Sequence, residues 1–408
     1  MKLTTSLPLV AASLFLAAAC SDPNATRDGS ASDASDGSPL ADSRTMDAPP
    51  SDTPMLDVVA MDTPVVSDTP APDVVTTDTP STTDAGTLRF PAGTICNDSG
   101  SARMPPATFP HVIVFVMENK SFGAVHGAAA APYFNSLTMQ CGYSTRFLDN
   151  VFTADLVSLP HYLAMTSGSN CNTGLGNTTQ TPGATGCITD DADSTAHRLS
   201  TRSIFEQVTS WTAYQESMPR ACAMGSASPY ATKHNPPPYY SRITGTDCTA
   251  NDVPVAHINC PTTVDTMCAA PTNAFTRDLA NDTLPQLAYF TPDLVNDMHD
   301  GTVAQGDNFL HTYLPLVFQS AAYRRGDVAV YVLWDEGSAG NPQPNLFISP
   351  YTPPTMSTTT MNLFATLRTI EDQLGIATHL GCAGGMPPGG IGSCPTGSNA
   401  NLRTTFNF

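Results

Sequence analysis

Basic side chains are scarce in this 408-residue chain: 17 Lys and Arg stand against 36 Asp and Glu, for a net charge of −19. Phosphate backbones need a basic surface, so nucleic acid is excluded as a partner. No pair among the eleven cysteines has CxxC spacing, which argues against a thiolate zinc site. The N-terminal apolar stretch, Leu7 to Leu16, is too short and wrongly flanked to be a stable transmembrane helix. Between residues 21 and 95 there is no Lys and no Glu, and aromatics are almost missing. A segment of that composition cannot bury enough apolar area to offset chain entropy.

What is present divides the chain into three parts. Lys2, the apolar stretch and Ala17-Ala18-Ala19-Cys20 have the layout of a secretory signal over residues 1–20. A Cys behind small residues resembles a bacterial lipoprotein box, with Ala17 where such boxes usually carry Leu. Cys20 is then the lipidated first residue of an exported, membrane-anchored chain; a plain cleaved signal is the alternative. Residues 21–93 form an acidic tether in which SDTP, MDTP, SDTP and TDTP recur at 51, 61, 67 and 77. Thirteen Asp against three Arg place ten of the nineteen excess negative charges between residues 21 and 95. Ten cysteines follow Cys20, an even number that implies a disulfide framework of at most five bridges in an exported chain.

Residues 94–408 alternate strand and helix signals, which predicts an α/β fold with a central, mainly parallel sheet flanked by helices. Strands are expected at 111–117, 287–292, 328–334 and 345–350. Helices are expected at 159–168, 203–211, 308–323 and 362–375. The Cys-rich, Pro-rich stretch from 222 to 274 reads as an insertion or lid.

Two buried strands end in polar pairs, Glu118-Asn119 and Asp335-Glu336, and a third leads into Asp293, Asp297, His299 and Asp300. Acidic groups delivered to one edge of a sheet suit a metal site, because clustered carboxylates repel unless a cation neutralises them. Ser158, at the start of an expected helix, is placed to attack phosphorus beside such a metal, or else simply caps the helix.

ENKSF at 118–122, SLPHYLAMTSG at 158–168, SWTAYQESMP at 210–219, KHNPPPYY at 233–240, NDMHDGTVAQGD at 296–307, WDEGS at 334–338 and LRTIEDQLG at 367–375 are similar, in this order, to motifs of the bacterial phosphoesterase family. That family groups acid phosphatases with phospholipase C enzymes in the alkaline-phosphatase-like superfamily. The resemblance implies a metal-activated Ser158 nucleophile and hydrolysis of phosphate monoesters or phospholipid-type diesters. It implies one or two divalent ions held by Glu118, Asn119, Asp297, His299, Asp335 and Glu336, with Asp307 nearby. Substrate contacts fall to His161, which stands where many relatives carry Asn, and to Tyr214, Glu216, Lys233 and His234. The chain departs from the family near Asn341 and at Leu363, where relatives carry His. Loss of two imidazoles leaves open a degenerate surface protein that binds a phosphorylated or glycan ligand without turnover.

Overall fold

Strand β1, His111–Met117, is buried along nearly its whole length and serves two interiors at once. Val112, Val114 and Val116 pack on one face of the sheet, while Ile113, Phe115 and Met117 pack on the other. A run of Val, Ile and Phe takes this position because branched and aromatic side chains fill both faces of a pleat. A computed structural model describes residues 86–99, 103–150, 157–169, 188, 190–194, 198–337, 341–386 and 393–408. The signal, Cys20, most of the acidic tether, and Cys171 and Cys187 lie outside the described residues.

The other strands are β2 (Gly142–Ser144), β3 (Trp211–Glu216), β4 (Asp252–Val255), β5 (Leu287–Thr291), β6 (Val328–Trp334), β7 (Asn345–Ile348) and β8 (Thr355–Ser357). They form one sheet in the order β4, β3, β5, β1, β6, β7, β2, β8. Only β7 runs antiparallel to its neighbours. The helices are α1 (Phe122–Val125), α2 (Pro132–Thr138), α3 (Ser158–Ser167), α4 (Gly245–Asn251), α5 (Ala274–Asn281), α6 (Val303–Gln319), α7 (Ala321–Arg325), α8 (Leu363–Gln373) and α9 (Leu402–Phe406). α3, α8 and α9 contribute to the interior that holds Val114, and α2, α5, α6 and α7 to the one that holds Phe115. β6 repeats the division, with Tyr331 and Leu333 on the first side and Val330, Val332 and Trp334 on the second.

The expected α/β architecture is therefore present, with the strands at 111–117 and 328–334 as anticipated. One segment was misread. The helix expected over 203–211 is only a single 3₁₀ turn at Ile204–Glu206, and the chain then extends into β3. β3 is buried from Ala213 to Glu216, including the polar Gln215 and Glu216, so no apolar run or alternation marks it. The stretch from 222 to 274 adds α4, the edge strand β4 and two disulfides to this side of the sheet. α6 begins five residues before the expected start because Thr302 and Gln305 form a reciprocal capping box.

Disulfides join Cys96 to Cys141, Cys222 to Cys248, Cys260 to Cys268 and Cys382 to Cys394 among the described residues. They are compatible with an exported protein. No described helix is long and apolar enough to cross a membrane.

Candidate active site

β5, β1 and β6 lie side by side, and their carboxyl ends build the site. The register pairs Met117 with Trp334, so Glu118 and Asp335 emerge together from adjacent strands. Asp335 N–H donates to Met117 O at 3.1 Å, and Glu118 N–H donates to Asp297 O at 2.8 Å, which ties in the loop after β5. Asn119 adopts φ 47°, and its backbone N–H donates to Asp335 Oδ1 at 3.3 Å. Asn tolerates the left-handed region better than most residues. Met298, between Asp297 and His299, also lies there, at φ 81°, and Lys120 Nζ holds its carbonyl at 2.6 Å.

α3 delivers the hydroxyl. Ser158 is its first residue and does not cap it; Val157 occupies that position. Ser158 Oγ faces Glu336 Oε1 at 3.1 Å and Glu118 Oε2 at 3.3 Å. One turn later Tyr162 OH donates to Glu118 Oε1 at 2.5 Å. Tyr162 escaped the sequence reading, although its spacing of four from Ser158 puts both on one helix face.

His234 stacks on Tyr162 with ring centroids 5.2 Å apart. Its Nε2 lies 3.2 Å from Glu118 Oε1 and its Nδ1 3.4 Å from Asp297 Oδ2. Neither contact is aligned as a hydrogen bond, so both nitrogens, like Asp297 Oδ2 and Asp335 Oδ2, are buried without a hydrogen-bond partner. Burial, then Lys233 and His299, pushes the His234 pKa well below the usual imidazole range, which leaves the ring neutral.

Glu118, Asp297 and Asp335 are fully buried. Burial first, and nearby carboxylates after it, raises all three pKa values well above the carboxylate range. Burial also raises Glu336, to about 7, against the opposing charge of His161. Buried acids held this closely need protons or a cation. Two sets of ligand atoms converge, each within 4.8 Å: Glu118, Asp335 and Glu336, and Glu118, His234 and Asp297. They share Glu118. Carboxylate and neutral imidazole donors with unpartnered atoms fit a divalent cation.

The remaining expected residues are placed differently. His161 Nε2 meets Asp149 Oδ1 at 3.0 Å and its Nδ1 meets Val157 O at 3.0 Å, so both nitrogens are engaged by protein oxygens. Burial opposes its protonation, but the hydrogen bond and charge of Asp149 outweigh it and raise the pKa to about 9. Lys233 Nζ donates to Asp191 Oδ2 at 3.0 Å, and Asp191 Oδ1 accepts from the Leu159 N–H at 3.0 Å. The His299 backbone N–H donates to Asp297 Oδ1 at 2.7 Å, but its ring turns to Asp300 at 2.7 Å, and it is the His234 ring that stands beside Asp297 Oδ2.

Tyr214 and Glu216 do not face Ser158. Tyr214 points into the opposite interior, where its OH donates to Asp278 at 2.7 Å. The Glu216 carboxylate accepts from Ile258 N, Asp293 N and Asn296 Nδ2, which satisfies it away from the hydroxyl. Asp307 caps α2 by accepting from Tyr133 N and Phe134 N at 3.0 and 2.8 Å. Asn341 is exposed and Leu363 is buried in the core, so neither supplies what an imidazole would.

A serine hydroxyl set among buried carboxylates, at the carboxyl edge of a mainly parallel sheet, is the equipment of a hydrolase acting on phosphoric esters. The chain belongs to the Phosphoesterase family, whose model matches residues 137–377. It is 28% identical over 292 residues to the phosphatidylinositol-3-phosphatase of Mycobacterium tuberculosis, covering 71% of this chain and 84% of that protein. It is also 28% identical over 196 residues to the phosphate-repressible acid phosphatase of Penicillium chrysogenum, covering 47% of this chain and 40% of that one. Among solved structures it is similar to a protein in the alkaline phosphatase superfamily from Vibrio parahaemolyticus, with a TM-score of 0.38, 11% identity and 72% of each chain covered.

Proposed function

We propose that the chain is an exported, lipid-anchored phosphatase that hydrolyses phosphate monoesters through Ser158. The observation that carries this reading is the Ser158 hydroxyl, at 3.1 Å from Glu336 and 3.3 Å from Glu118 on the first turn of α3. Glu118, Asp335 and Glu336 would hold one divalent cation, and Glu118, His234 and Asp297 are the residues for a second. A cation held there would lower the pKa of the neighbouring Ser158 hydroxyl and neutralise phosphoryl charge.

Ser158 Oγ attacks phosphorus in line as the bond to the leaving oxygen breaks, and water then cleaves the phosphoserine to restore the hydroxyl. Tyr162 fixes one oxygen of Glu118, leaving the other for the hydroxyl. Lys233, joined through Asp191 to the N–H of Leu159, the residue after the nucleophile, would be a donor for phosphoryl oxygens. The relatives described above are named phosphatases, which favours a monoester over a phospholipid-type diester. The degenerate-binder reading is disfavoured because Ser158, Glu118-Asn119 and the acidic pair Asp335-Glu336 are all present.

The test is hydrolysis of p-nitrophenyl phosphate and p-nitrophenylphosphorylcholine by the full chain, after chelation and with metals restored. Metal-dependent release from the monoester, lost in Ser158→Ala, is expected. A Ser158→Ala protein with undiminished turnover refutes the nucleophile, and preferential release from the choline diester refutes the substrate class.

A further inference from the structure

Asp149 has no counterpart among the residues that the sequence marks for chemistry, yet each of its oxygens reaches a different part of the active site. Oδ1 accepts from His161 Nε2 at 3.0 Å, and Oδ2 accepts from the Gly337 N–H at 3.2 Å. Gly337 directly follows the acidic pair Asp335-Glu336. The other His161 nitrogen meets the carbonyl of Val157, the residue immediately before Ser158, at 3.0 Å. A continuous path thus runs from the end of the late acidic pair, through one carboxylate and one ring, to the backbone that carries the nucleophile. Both ring nitrogens face oxygen acceptors, so the geometry suits the doubly protonated ring, two donors in fixed directions.

Asp149 is itself held on a frame. Gln343 N–H donates to Phe147 O at 2.7 Å, Leu148 N–H donates to Met361 O at 2.8 Å, and Asn362 Nδ2 donates to Asn150 Oδ1 at 3.0 Å. Its side chain is only 9% exposed. With both oxygens occupied by donors, Asp149 is better suited to hold neighbours than to ligate an ion.

We infer that Asp149 is a positioning residue that, acting through His161, holds the nucleophile helix in register with the Asp335-Glu336 ligand pair. This rests on Ser158 being the nucleophile. Partners that orient ligands in this way are typically worth about 10–100-fold in metal affinity or activity.

The full chain is compared with Asp149→Ala, Asp149→Asn, His161→Asn and the Asp149→Ala/His161→Asn double variant. The readouts are kcat and KM for p-nitrophenyl phosphate, Mn2+ affinity by electron paramagnetic resonance, and the thermal midpoint. Asp149→Ala is expected to lower kcat about 10–100-fold with KM nearly unchanged, and to weaken Mn2+ binding about tenfold. His161→Asn should add little in the Asp149→Ala background, because the two act in one path. Wild-type kcat and Mn2+ affinity in Asp149→Ala overturn the inference, as do losses that multiply in the double variant. If Asp149→Ala does not fold, Asp149→Asn decides: it can accept from one of the two donors but not both, so an intermediate loss supports the tie and wild-type behaviour overturns it. If the unaltered chain hydrolyses nothing, the proposed function fails, and the Mn2+ affinities alone judge Asp149.

Discussion

Asp252 offers a test of the energetics that does not touch the active site. It opens β4, is fully buried, and has one oxygen, Oδ2, accepting from Asn235 Nδ2 at 2.8 Å while Oδ1 has no hydrogen-bond partner. Burial pushes its carboxyl from 3.8 up to about 8, against the weaker pull of the Asn235 hydrogen bond. A folded-state pKa raised this way means that the native chain keeps a proton which the unfolded chain releases. The associated stability is fully present below the unfolded pKa and is lost as pH rises toward about 8. At pH 7 the gap of about three pH units corresponds to about 4 kcal/mol, at 1.36 kcal/mol per unit.

Asp252→Asn keeps the shape of the side chain and removes the titration. Urea unfolding with disulfides intact, at about pH 4.5, 6 and 7.5, should find the variant progressively more stable relative to wild type as pH rises. The gain should approach a few kcal/mol at the highest pH. A stability difference that does not change with pH would refute the buried, protonated Asp252.

Phe115 stacks on Phe290 at 5.3 Å and meets Phe275 edge-on at 5.7 Å, so Phe115→Ala should cost about 3–5 kcal/mol in chemical unfolding. A Cβ on Gly301 would stand 1.9 Å from the Val295 carbonyl oxygen, so Gly301→Ala must displace the loop that carries Asp297. Weaker Mn2+ binding and slower hydrolysis are expected from it, with the β1 core intact by circular dichroism. Glu336 titrates at about 7 without a bound cation, so protons compete at lower pH and Mn2+ affinity should fall as pH drops below about 7. Glu336→Gln should make an affinity profile taken across about pH 5.5 to 7.5 shallower without flattening it, because Glu118, Asp297 and Asp335 still take up protons.

The parts of the fold legible in the sequence were those whose burial wrote a pattern. β1 and β6 stood out because Val112 to Met117 and Val328 to Trp334 form unbroken apolar and aromatic runs, and the polar break after each one marks the edge where the site forms. β3 was hidden by Gln215 and Glu216, and the burial of Glu216 depends on donors from Ile258, Asp293 and Asn296, distant in the chain. At the site, residue type and motif order brought forward Ser158, Glu118, Asp335 and Glu336, which do meet. They could not say which histidine turns toward Asp297. That depends on His299 pairing with the adjacent Asp300 and on His234 stacking against Tyr162, both matters of rotamer and not of spacing. Asp149 was silent because a lone acid in a connecting segment has no signature until its two partners are in place.

The adjacency of β5, β1 and β6 also bears on how the chain folds. Ser158 and Glu336 are 178 residues apart, and Asn119 and Asp335 are 216 apart, so the site joins regions linked by very long loops. Such contacts form slowly, because closure entropy is lost before they reward it. No early fragment of the chain contains a whole ligand set, so tight cation binding during refolding would report that the central strands have found one another. Once formed, the native sheet would gain stability by mass action from a divalent cation held by Glu118, Asp335 and Glu336, and the unfolded chain has no equivalent site to compete. For the exported phosphatase proposed above, that would couple arrival in a metal-containing compartment to resistance against unfolding.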